Sequence, residues 1–266
     1  MLELNKTYCM DCLEGLKLLN DNSIDLTVTS PPYDDLRKYN GYSFDFENIA
    51  KELYRVTKDG GVVVWVVGDK TKNGSETGTS FKQALYFKEI GFNLHDTMIY
   101  ASDKPPLSHN RYEQKFEYMF IFSKGKPKTW NPIMEECKYA GSSKKARTFR
   151  HTGEELEETH NKGEVKSHKI KGNIWFYPTG YQKSTKDKIA FKHPAIFPEQ
   201  LVNDHIISWS NENDIVMDIF SGSGTTHKMA LLNNRNFIGF EISQEYIDIE
   251  EERIKNIKQQ KERNKE

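Results

Sequence analysis

The chain has 266 residues and a net charge of −1, enough length for a buried core in one large domain or in one domain carrying an insertion. Its longest uninterrupted apolar run, Val62–Val67, falls far short of the ~20 residues of a membrane span, and Met1–Met10 lacks a basic stretch followed by an apolar core, so neither a membrane protein nor a secretory signal is expected. Three cysteines, Cys9, Cys12 and Cys137, cannot build a disulfide framework, which makes a reducing cytoplasm the expected compartment.

Strand and helix patterns alternate along the first part of the chain. Ile24–Thr29 alternates polar and apolar residues as a strand does, and Ile49, Leu53 and Val56 share one face of a helix over about Phe46–Thr57. Asp59-Gly60-Gly61 is expected to stop that helix, and Val62–Val67 suits a strand buried on both faces. A polar loop (Lys72–Thr79), a helix (Ser80–Ile90) and strands near Phe92–Tyr100 and Phe116–Ser123 follow. After a long break the pattern resumes with a helix over Pro198–Trp209, a strand over Ile215–Phe220 and a glycine-bearing turn. A helix over Thr225–Leu232, a strand over Phe237–Ile242 and a charged terminal helix that frays beyond Ile257 complete it. Such alternation predicts an α/β fold with a mostly parallel sheet, and no repeat at ~20–50 residues suggests a solenoid or propeller.

The break itself is basic. Between Lys124 and His193 there are 16 Lys+Arg against 8 Asp+Glu, whereas the remainder carries 22 against 31. A net positive block inside an acidic protein is either a solvated lysine-rich loop or the place where a polyanion docks.

Two motifs carry chemistry. In Asp218-Ile-Phe-Ser-Gly-Ser-Gly-Thr-Thr226, between a strand and a helix, glycines let a ligand approach the backbone and the helix N-terminus offers unpaired N–H groups. Glu241 ends the next strand, where a carboxylate can accept both hydroxyls of a ribose, so the pair reads as an adenosine-cofactor half-site. His227 stands where a dinucleotide-binding turn has its third glycine, which weakens a nicotinamide reading. The second motif, Thr29-Ser-Pro-Pro-Tyr33, follows a strand directly. Its prolines hold the backbone extended and leave carbonyls as acceptors. Acceptors at Ser30 and Pro31 can hold both hydrogens of an exocyclic amino group, favour its pyramidal form and raise its nucleophilicity. Tyr33 can stack on a base taken out of a duplex. Cys9-Met-Asp-Cys12 has the spacing of a redox pair or of half a zinc site, but no second Cys/His pair stands in suitable order, so no metal is expected.

With these motifs in this order the sequence resembles the S-adenosylmethionine-dependent DNA amino-methyltransferases, in the permuted arrangement of the beta group. Further segments carry the likeness: Tyr8-Cys-Met-Asp11 with Leu13–Leu19, Arg55-Val-Thr-Lys-Asp-Gly-Gly61, Glu117–Lys124 (with Phe116 where many relatives have His), and His193-Pro-Ala-Ile-Phe-Pro198. The resemblance implies a Rossmann-like methyltransferase fold: a mostly parallel seven-stranded sheet with one antiparallel strand, a circularly permuted motif order and an inserted target-recognition region. It implies a catalytic half over residues 1–123, a basic insertion over 124–192 and a cofactor half over 193–266. It also implies S-adenosylmethionine as cofactor, held by Asp11, His193, Asp218, Phe220, Ser221, Gly222, Gly224, Thr225 and Glu241, and catalysis by Ser30, Pro31, Pro32 and Tyr33. In the insertion Lys144, Lys145, Arg147 and Arg150 become phosphate contacts, while Trp175, Tyr177 and Tyr181 serve either base packing or a minor core of the insertion.

The implied reaction is methyl transfer to the exocyclic amino group of a base in double-stranded DNA. Ser30 favours cytosine N4; adenine N6 is the alternative. An RNA or protein-glutamine methyltransferase, a nicotinamide oxidoreductase and a non-catalytic DNA-binding module are the rival readings. The expected partner is double-stranded DNA, with a cognate restriction endonuclease or with none, and the chain is expected to act as a monomer or homodimer.

Overall fold

Strand β2 (Ile24–Thr29) is buried along nearly its whole length and forms the middle of the sheet, its β-branched and leucine residues interrupted only by the half-buried Asp25. The computed structural model describes residues 2–32, 44–103, 111–143, 147–152, 155–160 and 163–263. Among these, β1 (Lys6–Cys9), β2, β3 (Thr57–Val67), β4 (Asn93–Ala101), β5 (Phe116–Ser123), β6 (Ile174–Phe176), β7 (Ile215–Asp218) and β8 (Asn236–Glu241) form one sheet in the order β1-β8-β7-β2-β3-β5-β4-β6. Only β5 runs antiparallel to its neighbours within that sheet. The seven expected strands, with their single antiparallel member, are joined by an eighth: β6 adds three residues beside β4 at the edge. No sequence pattern announced so short an edge strand.

Helices cover both faces. On one side α1 (Cys12–Lys17), α2 (Phe46–Val56) and α3 (Thr79–Glu89) share a core with Val63, Trp65 and Val67 of β3. The alternate residues Val62, Val64 and Val66 are equally buried on the opposite face. The Trp65 indole N–H satisfies itself on the Gln83 side chain at 2.9 Å. On the other side α4 (Glu199–Trp209), α5 (Thr225–Leu232) and α6 (Gln244–Arg263) pack together and against β1, β2, β7 and β8.

Two expectations need correction. The helix α2 ends at Val56, and β3 begins at once with Thr57 rather than after the glycine pair. A bulge absorbs the extra residues: Ile24 pairs with Thr57 and Leu26 with Val62, and Gly60 takes φ +81°, with Lys124 and Lys128 completing its backbone hydrogen bonds. The terminal helix does not stop near Ile257 but continues to Arg263, because its run of Lys, Gln, Glu and Arg favours helix without needing burial. None of the helices among the described residues is long and apolar enough to cross a membrane.

The chain divides into two compact units, residues 1–131 with 173–266, and residues 132–172. The second holds two antiparallel pairs, Met134–Glu136 with His168–Ile170 and Arg147–Thr152 with Glu155–His160. It carries nine Lys+Arg against seven Asp+Glu. Most of the surplus positive charge of residues 124–192 therefore lies on the two flanking segments, which belong to the first unit.

Candidate active site

At the carboxyl ends of β2, β7 and β8 the first unit contains a cleft of about 790 Å³, where open α/β sheets bind ligands. Both motifs meet in it. Ser30, Pro31 and Pro32 line it from the end of β2, and Phe220, Ser221, Gly222 and Thr225 from the turn after β7.

Asp218 joins the two. Its Oδ1 accepts from the Thr29 hydroxyl at 2.7 Å and the Phe220 N–H at 3.0 Å; its Oδ2 accepts from the Thr226 hydroxyl at 2.7 Å. Burial pushes this carboxyl above its ordinary value, against the opposing pull of His227 and those three donors. Although Asp218 borders the cleft, the hydrogen bonds just named occupy its carboxylate, so it fixes the glycine turn against the residue that precedes Ser30.

Glu241, at the end of β8, borders the cleft. Its Oε2 takes the Gly222 N–H at 2.9 Å and its Oε1 the Ser243 N–H at 3.0 Å, which pins the carboxylate at the rim and leaves each oxygen a further lone pair. Burial raises its carboxyl above the usual range while the two N–H donors oppose the shift. The Ser221 hydroxyl is buried, borders the cleft and has no hydrogen-bond partner among the described residues.

His193 lies against the turn. Its ring packs edge-on against Tyr246 with centroids 4.3 Å apart, and its Nδ1 lies 3.1 Å from the Ala195 N–H. A Cβ on Gly222, whose φ is +50°, would come within 2.9 Å of His193 Nε2. Gly224, at φ +73°, begins α5, and a Cβ there would lie 2.2 Å from Glu250 Cγ. Its lack of a side chain thus serves packing against α6.

His227 solves the packing problem of a missing third glycine in reverse. The imidazole is fully buried, stacks on Phe237 at 4.4 Å and holds Glu250 Oε1 with its Nδ1 at 2.6 Å. Desolvation lowers its basicity but the Glu250 carboxylate more than offsets this, so it holds its proton above the ordinary range. Close approach of helix and strand is supplied by Gly239 on β8, where a Cβ would lie 2.0 Å from His227 Cε1. Gly239→Ala is expected to lower stability by roughly 1–3 kcal/mol, the usual cost of overpacking a tight core; the urea midpoint of the purified variant measures it.

Of the remaining sequence-derived residues, Asp11 caps α1 by accepting from the Leu13 and Glu14 N–H groups, while its neighbours Met10 and Cys12 border the cleft. Tyr33, Lys144 and Lys145 lie outside the described residues, and Arg147 and Arg150 are described only as backbone in the Arg147–Thr152 strand. Trp175 and Tyr177 are buried in the first unit, Trp175 stacked on His205 at 4.9 Å and Tyr177 donating to Asp204 at 2.7 Å, which favours the packing reading over base contact. Tyr181 is exposed and borders the cleft.

A family model described as DNA methylase, of the N6/N4 methyltransferase type, matches residues 24–252. The orphan methyltransferase M.BamHII of Bacillus amyloliquefaciens is 64% identical over 90% of this chain and 91% of its own length. The chain belongs to the N6/N4 DNA methylase family. The type II methyltransferase M.BglII of Bacillus subtilis is 30% identical over 92% of this chain and 68% of its own. Among solved structures, the cytosine-N4-specific PvuII DNA methyltransferase superposes with a TM-score of 0.68 at 22% identity, covering 93% of this chain and 85% of that one. The M1.HpyAVI–SAM complex superposes at 0.62 and 23% identity, covering 94% and 98%. At such identities both show likeness of fold.

Within this DNA methylase the cleft has a wall that sequence reading reached at Tyr181 and at His193–Pro198. Thr179, Gly180, Tyr181, Ser184, Phe191 and Pro194–Pro198 all border it, from a segment whose regular structure among residues 179–198 is one 3-10 turn, Lys188–Lys192. Tyr100 and Glu117, directly paired across β4 and β5, border it as well.

Proposed function

We propose that this protein transfers the methyl group of S-adenosylmethionine to the exocyclic amino group of a base in double-stranded DNA, with cytosine N4 as the target. The observation that carries the reading is the convergence of Ser30–Pro32 and the glycine turn on one cleft, tied together by the Thr29–Asp218 hydrogen bond. The chain's donors and acceptors suit the cofactor: an anchored Glu241 carboxylate for ribose hydroxyls, an unpartnered Ser221 hydroxyl, and apolar Met10, Phe240 and Ile242 for an adenine face. When bound, the cofactor supplies a methyl group activated on a sulfonium.

The protein's own work is placement. Ser30 and the Pro31 carbonyl accept the two amino hydrogens, which turns the nitrogen lone pair out of conjugation and toward the methyl donor. Tyr33 stacks on the extruded base. Serine as the first residue of the Ser30–Tyr33 motif supports cytosine N4, as does the cytosine-N4 specificity of the PvuII enzyme, whose fold this chain shares. The orphan status in the name of M.BamHII supports a function without a cognate restriction endonuclease.

Incubation with methyl-labelled S-adenosylmethionine and a choice of duplex DNA, RNA or a glutamine-containing peptide tests the assignment. Label in duplex DNA alone is expected; label in RNA or peptide, or none in DNA, would refute it.

We further assign residues 124–192 to target recognition. Affinity for duplex DNA should then fall steeply with salt, by about one log–log slope unit per phosphate contact. Changing Lys144, Lys145, Arg147 and Arg150 together to Glu should weaken binding to all sequences and flatten that slope, with cofactor affinity unchanged. An unaltered slope, read from binding isotherms at several salt concentrations, would return these four residues to a solvated surface.

A further inference from the structure

The glycine turn and the wall facing it are held from behind by one stripe of α6. Residues 246, 250 and 253 are spaced by four and three and so share a helix face. Tyr246 backs His193 of the wall; Glu250 fills the space beside Gly224 of the turn. Arg253 touches both. Only 2% exposed, it places Nε 2.9 Å from Asp187 Oδ2 and Nη2 2.8 Å from Glu199 Oε1, and its Nη1 donates to the Ser223 carbonyl and, at 3.2 Å, to the Thr225 hydroxyl. Lys228 of α5 closes the cluster with contacts of 2.8 Å to Asp187 and 2.7 Å to Glu199. Burial pushes the Asp187 carboxyl up, but hydrogen bonds from Lys228 and Arg253 outweigh it and hold the group ionised below its ordinary value.

Two anions and two cations thus meet where an irregular wall, a glycine turn and three helices come together. A buried guanidinium is tolerated only where its N–H groups are used, and here they are divided between Asp187 and Glu199 on one side and Ser223 and Thr225 on the other. The Ser223 carbonyl belongs to the peptide between Ser223 and Gly224. A charged donor on it fixes the orientation of the turn whose Gly222 N–H is aligned on Glu241. Neither Lys228, which reaches only the carboxylates, nor any other cation among the described residues spans both segments.

We propose that Arg253 is a positioning residue for the reaction: it couples the 179–198 wall to the glycine turn and thereby sets the affinity for the methyl donor. The proposal rests on the cofactor reading above. Its geometry separates Arg from Lys, because an ammonium at the same site can serve the carboxylates or the Ser223 carbonyl but lacks the fork that serves both.

Direct calorimetric binding of S-adenosylmethionine to the full chain tests this, with R253K, R253M and, as a control on the exposed face of α6, E251A. Losing a charge-assisted anchor should weaken cofactor affinity about tenfold or more in R253M. KM for the cofactor should rise in step while kcat at saturating cofactor stays near wild type, and R253K should recover part of the loss. Amide hydrogen exchange in the cofactor-free protein should quicken over residues 183–199 in R253K and stay unchanged over β2 and β3. E251A should match wild type. Unchanged affinity in folded R253K and R253M, or a fall in kcat with no change in KM, would overturn the proposal. Should R253M fail to fold, R253K decides on the same criteria. Absence of binding by the wild type would instead overturn the cofactor reading, and this inference with it.

Discussion

Gly222→Val is expected to abolish cofactor binding, with affinity falling at least about a hundredfold. Three effects add. At φ +50° the backbone lies in the left-handed region, which a β-branched residue adopts only under strain. The new Cβ would meet His193 Nε2 at 2.9 Å, and that ring is itself pinned between the turn and Tyr246. Relief of either conflict moves the Gly222 N–H off Glu241, which loosens the carboxylate meant for the ribose. The added side chain therefore acts by displacing the turn against His193, itself a residue of the cleft. Calorimetry on the variant, with a thermal melt to confirm folding, measures the effect; near-normal affinity in a folded variant would contradict the assignment of the turn.

Tyr33→Ala is the complementary experiment. A base stacked on an aromatic ring gains ~1–3 kcal/mol, so methyl transfer should fall up to about a hundredfold. Cofactor affinity should stay within about twofold, because the glycine turn and Glu241 are untouched. Pro31→Ala should behave in the same sense, since Pro31 is buried at the end of β2 and its ring fixes the extended path that presents the acceptors. Parallel loss of cofactor affinity in either variant would show that the two motifs do not divide the work as assigned.

What was legible in the sequence was what periodicity and steric exclusion enforce. A run such as Val62–Val67 has few fates other than a doubly buried strand, and two prolines after β2 mark its end. The glycines of the turn were legible as a ligand site, but their separate reasons were not: Gly222 avoids His193 and Gly224 avoids Glu250, partners 29 and 26 residues away in opposite directions. His227 looked like a defect in a nucleotide-binding turn until Gly239, twelve positions on, proved to supply the missing space. Most of the cleft wall at 179–198 escaped because an irregular segment has no period to read. Arg253 escaped for a related reason: in a helix so rich in Glu, Lys and Arg, a buried guanidinium cannot be told from a solvated one by composition. Charge counted along residues 124–192 did not show how it divides: the compact unit 132–172 holds little of the surplus and its flanking segments hold most of it.

The central claim, methyl transfer to an exocyclic amino nitrogen, is tested most directly by the chemical identity of the product. Duplex DNA incubated with the protein and methyl-labelled S-adenosylmethionine is digested to nucleosides, which are separated and identified by mass. The account predicts label in N4-methylcytosine; label in N6-methyladenine would keep the amino-transfer mechanism and correct the target base. Label in 5-methylcytosine, or DNA that remains unlabelled, would contradict it.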